Sequence, residues 1–177
     1  MRLSLPRSTW LILLFSASTL TAIPMGASAQ RAVIEGAASL GSGASLGTGS
    51  GHTVVLMSPL YIDADVIYYN DEFPTLEYVI GLQAELQGRV SAGVVPQMRL
   101  TAGPKRWMVY GLAGIPFVFA PFVMLGAEVG GGVLWRGFKR FGFFAEFVVD
   151  LFFIGNDLQD DGMLTQLDLN IGLRIPF

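Results

Sequence analysis

The side chains most able to do chemistry are carboxylates and guanidinium groups set among apolar residues. They share one parity within each segment: Glu77, Glu85, Arg89, Arg99, Glu128, Glu146, Asp150, Asp168 and Arg174. Successive side chains of a β-strand point to opposite faces, so this spacing places the charges on one face of several strands. Asp63 and Asp65 follow the same spacing and are interpreted as further members rather than as a metal pair. Charges enclosed on one face would pair with each other, which predicts an ion-pair network.

His52 is the only histidine, and it lies beside Ser50 and Thr53. A catalytic base must reach its nucleophile and be oriented by a third group. The spacing shows no such set, so His52 is interpreted as a solvated loop residue. We expect no catalytic residue and no enzyme activity.

Two polar segments are further candidates for ligand sites. Gly41–Gly51 is glycine-rich but lacks the Gly-Lys-Ser/Thr sequence and precedes a predicted strand, so it does not fit a phosphate-binding loop. It is interpreted as a mobile extracellular loop. In Gly155–Gly162, four oxygen-bearing residues do not follow the order of a calcium-binding loop, and a solubilising loop tip is preferred. We therefore expect no metal and no cofactor.

The elements that would position these residues are strands. Segments rich in β-branched and aromatic residues are separated by short runs of Gly, Pro, Asn and Asp, as in antiparallel hairpins. The predicted strands are 32–40, 54–69, 76–87, 89–101, 107–119, 122–136, 140–154 and 164–177. No linker or shift in composition marks a second domain, so residues 30–177 are predicted to form a single domain.

The opposite faces of these strands are apolar and free of charge. The last segment shows this most clearly, with Leu167, Leu169, Ile171, Leu173, Ile175 and Phe177 on one parity. Uncharged faces of this length match strands that cross a bilayer at a tilt. Aromatic residues fall at the strand ends nearest the termini, as expected at a membrane interface: Tyr68, Tyr69, Tyr78, Trp107, Trp135, Phe141 and Phe177.

The first 29 residues have the pattern of a cleaved signal peptide. Arg2 and Arg7 precede the apolar run Trp10–Leu20, and Ala27-Ser28-Ala29 matches a cleavage site. Removing them lowers the formal net charge from −3 to −5. The remaining acidic chain has no basic stripe, which argues against nucleic-acid binding. The chain has no cysteine, so it has neither disulfides nor thiolate chemistry.

A helical membrane protein is the main structural alternative. Met108–Trp135 carries one charge, Glu128, and is long enough for a helical span. It also contains six glycines, Pro116 and Pro121, which favour two strands joined by a turn.

The export signal, the alternating segments and the final aromatic residue together resemble the bacterial outer-membrane β-barrel family, in particular its small eight-stranded OmpA- and OmpX-type members. The resemblance implies an all-β, up-and-down antiparallel transmembrane barrel in the outer membrane, surrounded by its lipid. In that family the C-terminal strand is read by the barrel-assembly machinery, and Ile171, Leu173, Ile175 and Phe177 match its pattern.

An eight-stranded barrel is just wide enough inside for side chains to fill it. We therefore expect a packed polar lumen and a structural or surface-interaction role without catalysis. The alternatives are a narrow cation-preferring pore and a lipid-modifying barrel enzyme. The sequence singles out neither a ligand nor an oligomeric state.

Overall fold

The computed structural model describes residues 32–49, 52–70, 73–87, 90–104, 106–138, 140–158 and 162–176. The predicted signal peptide, Arg89 and Phe177 lie outside the described residues, as does the side chain of His52.

The described residues form nine antiparallel strands, which occupy the eight strand positions of a barrel. The strands are β1 Ala32–Gly49, β2 His52–Asn70, β3 Phe73–Glu85, β4 Ser91–Ala102, β5 Trp107–Gly114, β6 Phe117–Ala120, β7 Met124–Trp135, β8 Gly142–Gly155 and β9 Met163–Pro176. Both β5 and β6 pair with β4 and with β7, so they are the two halves of one interrupted barrel strand. The interruption falls at Ile115 and Pro116, and proline has no backbone N–H to donate to a neighbouring strand.

The sheet closes on itself because β1 pairs with β9 as well as with β2. The predicted eight-stranded antiparallel barrel is therefore confirmed. Among the described residues, no helix is long and apolar enough to cross a membrane.

The strand register gives the stagger of the barrel. Following paired residues once around the barrel from Glu35 returns to Ser45, ten residues further along β1, and the path runs through Ile67, Val79, Gln97, Gly114, Glu128, Asp150 and Gln166. A stagger of ten residues over eight strand positions corresponds to strands tilted by about 40° from the barrel axis.

The two faces of each strand differ in the way the alternation predicts. Outward positions of the described strands carry no charged side chain, and large apolar residues there are open to the surroundings, for example Ile171 at 65% and Leu169 at 59% exposure. Soluble proteins rarely expose such a continuous apolar surface, whereas it suits the hydrocarbon core of a bilayer.

The prediction of a mobile loop at Gly41–Gly51 is wrong for most of its length. β1 continues to Gly49, and β2 begins at His52. A Cβ at Gly41 would overlap the Asn170 side-chain oxygen, and one at Gly43 would overlap Asp168. These glycines therefore let polar side chains of β9 lie against β1, so they have a packing role within the sheet.

The lumen is filled by apolar as well as polar side chains. One buried apolar cluster lies along the inside of the barrel: Ala37, Ile67, Val79, Tyr110, Leu112, Leu134, Phe144 and Val148. A second lies at the end away from the termini: Val118, Met124, Phe152 and Leu164. The expectation of a polar lumen therefore needs correcting, because polar clusters alternate with apolar packing.

Candidate functional site

The first polar cluster is centred on Arg174, near the end that carries the termini. Arg174 donates to both carboxylate oxygens of Glu77, from Nη1 at 3.0 Å and from Nη2 at 2.8 Å. Its Nε donates to Glu35 Oε2. Glu35 also accepts from Arg136 Nη2 at 2.9 Å and from the Tyr69 hydroxyl at 3.0 Å. These five residues, the Arg174 cluster, form a continuous hydrogen-bonded set.

The second cluster is centred on Arg99. Its Nη2 lies 3.0 Å from Asp65 Oδ2 and 3.4 Å from Glu146 Oε2, and its Nε donates to Gln97 Oε1 at 3.1 Å. The Tyr110 hydroxyl donates to Glu146 Oε2 at 2.9 Å. The Arg99 guanidinium lies 5.5 Å from the centre of the Tyr110 ring, close enough for a cation–π contact. These residues are the Arg99 cluster.

Both clusters connect strands that are not neighbours in the sheet. Arg174 on β9 reaches Glu77 on β3, and Arg99 on β4 reaches Glu146 on β8. The four side chains are almost completely buried, at 6% exposure or less. Such pairs cross the lumen, and the interior of an eight-stranded barrel is just wide enough for side chains to fill.

A third region of the lumen is acidic. Glu128 on β7 lies opposite Asp150 on β8. Asp63 on β2 and Asp168 on β9 are close enough to Asp150 to interact with it electrostatically. Asp63 accepts from Ser39, but Glu128 Oε1 and both Asp150 carboxylate oxygens have no hydrogen-bond partner among the described residues. We call Asp63, Glu128, Asp150 and Asp168 the acidic region.

A small cavity adjoins the acidic region and the Arg99 cluster. Its volume is about 20 Å³, and its lining includes Asp63, Arg99, Glu128 and Asn170. A polar cavity of this size holds about one water molecule. The cavity therefore provides room for hydration within the described part of the lumen.

The structure buries eight of the nine predicted lumen charges, and Arg89 lies outside the described residues. It joins Glu77 to Arg174 and Glu146 to Arg99. Among the described residues, no ion pair or hydrogen bond joins Glu128, Asp150 or Asp168 to either of these arginines. Glu85 is also buried, and it accepts from the Ser91 hydroxyl at 3.4 Å.

Sequence reasoning missed four polar residues of these clusters. Glu35 lies in a segment of small residues where neither face stands out, and Tyr110 lies in a strand that is apolar on both faces. Arg136 follows a strand end and reaches back to Glu35. The prediction that Tyr69 lies among the aromatic residues of the membrane interface is wrong, because its hydroxyl donates to Glu35 inside the barrel. Tyr69 follows Tyr68 directly, and neighbouring residues of a strand point to opposite faces, so the sequence did contain a signal for this.

The remaining predicted aromatic residues that the structure describes lie at the end that carries the termini. Tyr68 and Tyr78 face each other at 6.5 Å, and Trp107 and Trp135 at 6.0 Å, between ring centres. Phe141 is half-buried and packs on neighbouring rings. On β9, the residues predicted as an assembly signal point outward: Ile171, Leu173 and Ile175.

Within the described residues, no group of three or more His, Cys, Asp or Glu side chains is placed to hold a metal ion. The acidic region is thus a set of carboxylates spread over several strands.

No family model matches the chain, and no curated protein matches it. Among solved structures, it is similar to Neisserial surface protein A, with a TM-score of 0.59 and 10% identity over 82% of this chain and 97% of that chain. It is also similar to a de novo designed transmembrane β-barrel, with a TM-score of 0.49 and 13% identity over 82% and 95%. The N-terminal barrel of Pseudomonas aeruginosa OprF has a TM-score of 0.45 and 9% identity over 77% and 96%. The similarity to Neisserial surface protein A, together with the closed barrel, shows that the chain has the fold of the small eight-stranded outer-membrane β-barrels.

Proposed function

We propose that this chain is an integral protein of the bacterial outer membrane whose lumen is closed by its own side chains, with a structural or surface-interaction role and no catalysis. The observation that carries the proposal is the pair of ion-pair clusters that cross the lumen, from Arg174 to Glu77 and from Arg99 to Glu146. The apolar residues Val118, Met124, Phe152 and Leu164 add packing at the end away from the termini.

Membrane insertion is supported by the outer surface. It is apolar along the strands and carries tyrosine and tryptophan at one end, where amphipathic rings are favoured by the membrane interface. In the proposed orientation, both termini face the periplasm. The barrel-assembly machinery would then read the outward residues of β9, including Ile171, Leu173 and Ile175.

The non-catalytic role is supported by how the buried polar groups are used. The arginines and most of their partners bond to one another inside the barrel, where a substrate would have to displace packed side chains. His52, the residue on which a lipid-modifying enzyme would depend, is tested by substitution. An unchanged lipid A profile in cells carrying His52→Ala supports the non-catalytic role.

The acidic region favours a second candidate, a narrow cation-preferring pore. Glu128 and Asp150 face each other without a hydrogen-bonded cation among the described residues, and acidic linings prefer cations. The small cavity beside them would be one site that water or a cation occupies while it crosses such a pore.

One sample tests both candidates. The chain is refolded into lipid vesicles, run heated and unheated on a denaturing gel, and then measured for single-channel current. A β-rich, heat-modifiable species without current supports the closed barrel. Discrete current steps that select cations replace it with the pore, and helical circular dichroism with no heat shift contradicts a membrane barrel.

A further inference from the structure

We infer that two adjacent turns at the end carrying the termini bind the phosphate-bearing headgroup of an anionic phospholipid. This inference rests on the proposed membrane location. It concerns the outside of the barrel, and it is independent of whether the lumen conducts.

The turn between β4 and β5 lies beside the turn between β7 and β8. The backbone N–H of Arg136 donates to the carbonyl of Arg106 at 2.9 Å, and Trp107 lies opposite Trp135 in the strand register. The two turns therefore form one surface, which we call the basic corner and define by Arg106, Arg136 and Arg140.

Positive charge is concentrated in these two turns. Of the nine Lys and Arg residues that follow residue 29, five belong to them in sequence: Lys105, Arg106, Arg136, Lys139 and Arg140. Lys105 and Lys139 lie outside the described residues. The third turn at this end, between β2 and β3, carries Asp71 and Glu72 in sequence. The sequence therefore concentrates basic residues in these two turns and not in the third.

Two of the corner's arginines are available to a ligand. Arg136 is bound to Glu35 in the Arg174 cluster. Arg106 and Arg140 are exposed, and neither guanidinium group forms a hydrogen bond or ion pair with another described residue. A guanidinium group binds phosphate through two parallel hydrogen bonds, so these side chains are matched to that chemistry.

Aromatic rings hold the corner at the depth of the headgroups. Trp135 lies 5.5 Å from Phe138 and 6.0 Å from both Phe143 and Trp107, between ring centres. Phe138 stacks on Phe141 at 4.6 Å. Tryptophan and its aromatic neighbours favour the boundary between headgroups and hydrocarbon, so Arg106 and Arg140 would lie at phosphate level.

The apolar wall next to the rings identifies the ligand as a lipid. Outward-facing Val109, Val133 and Phe147 continue from Trp107 and Trp135 along β5, β7 and β8, and they are 56%, 43% and 50% exposed. Acyl chains can lie along this wall while the phosphate reaches the arginines. An acidic protein partner in the periplasm would contact the arginines but not the wall.

The tryptophans provide a local probe. The chain has three, and replacing Trp10 by phenylalanine leaves Trp107 and Trp135, both beside the basic corner. We would refold Trp10→Phe protein into vesicles and measure quenching of tryptophan fluorescence by brominated phosphatidylglycerol and by brominated phosphatidylcholine. The ratio of their binding constants reports the preference for anionic lipid at this site.

We expect at least about a fivefold preference for phosphatidylglycerol, the effect of one arginine near an anionic headgroup. Arg106→Gln/Arg140→Gln should reduce the ratio to about one. The control Thr53→Asp/Gln87→Glu lowers the net charge equally at the opposite end of the barrel, where both residues are exposed, and should retain the preference.

The possible results distinguish failure of the proposed lipid site from failure of the proposed membrane insertion. Equal quenching by both lipids in the parent protein overturns the inference and leaves membrane insertion intact. A preference that survives Arg106→Gln/Arg140→Gln, or that is lost equally in the control, also overturns it. An absence of quenching by either lipid overturns membrane insertion and the inference together.

Discussion

Replacing Arg174 by methionine should severely destabilise the barrel. Arg174 and Glu77 are buried at 4% and 1% exposure and are joined by two hydrogen bonds of 3.0 and 2.8 Å. The substitution removes the ion-pair partner of Glu77, while Glu35 keeps Arg136. Breaking a buried ion pair on one side costs about 3–5 kcal/mol, because the remaining charge stays in a desolvated site.

The free energy of unfolding is measured by urea titration in lipid vesicles, with the heat-modifiable band as the measure of folded protein. The matched variant is Glu77→Gln/Arg174→Met, which removes both charges. Since a buried pair contributes little net stability, this double variant should recover a large part of the loss. A decrease of less than about 1 kcal/mol in the free energy of unfolding for Arg174→Met is the effect of losing a solvent-exposed ion pair. Such a result would refute a closed lumen at the position of Arg174 and Glu77.

The other substitutions test the packing against β9, the outer face and the lumen. Gly41→Ala should cost about 1–3 kcal/mol in the same titration, whereas Gly47→Ala, whose added Cβ would have 3.8 Å of clearance, should be nearly neutral; equal effects would contradict the packing role of Gly41. Leu169→Arg should cost about 2–4 kcal/mol in vesicles, since it places a charge among lipid chains, and no cost would contradict a bilayer-facing β9. Arg99→Ala should allow cation-selective current in planar bilayers where the parent protein shows none, and silence of both would mean that other side chains keep the lumen closed.

The sequence predicted the architecture well where large apolar and polar residues alternate. In β9, for example, Leu169 and Ile171 point outward while Asp168 and Asn170 point inward. It predicted less in β5, where Met108 and Leu112 inside and Val109 outside are all apolar. It failed in β1, because glycine is more common in turns than in strands, and the sequence does not show which glycines make room for a side chain of a neighbouring strand.

The partners of the lumen charges could not be read from the sequence. Glu77 lies directly opposite Arg99 in the register, yet its hydrogen bonds go to Arg174 across the lumen. Which charges meet across the interior depends on the ten-residue stagger of the whole barrel. That stagger arises from eight strand pairings together, and no local pattern encodes it.

Strand orientation in an aligned bilayer tests the membrane-spanning barrel most directly. Polarised infrared spectroscopy of the refolded chain in oriented lipid reports the angle between the strands and the bilayer normal. The staggered barrel described here predicts antiparallel β-structure tilted by about 40°. Unoriented strands, strands lying flat in the membrane plane, or a predominantly helical amide band would contradict it.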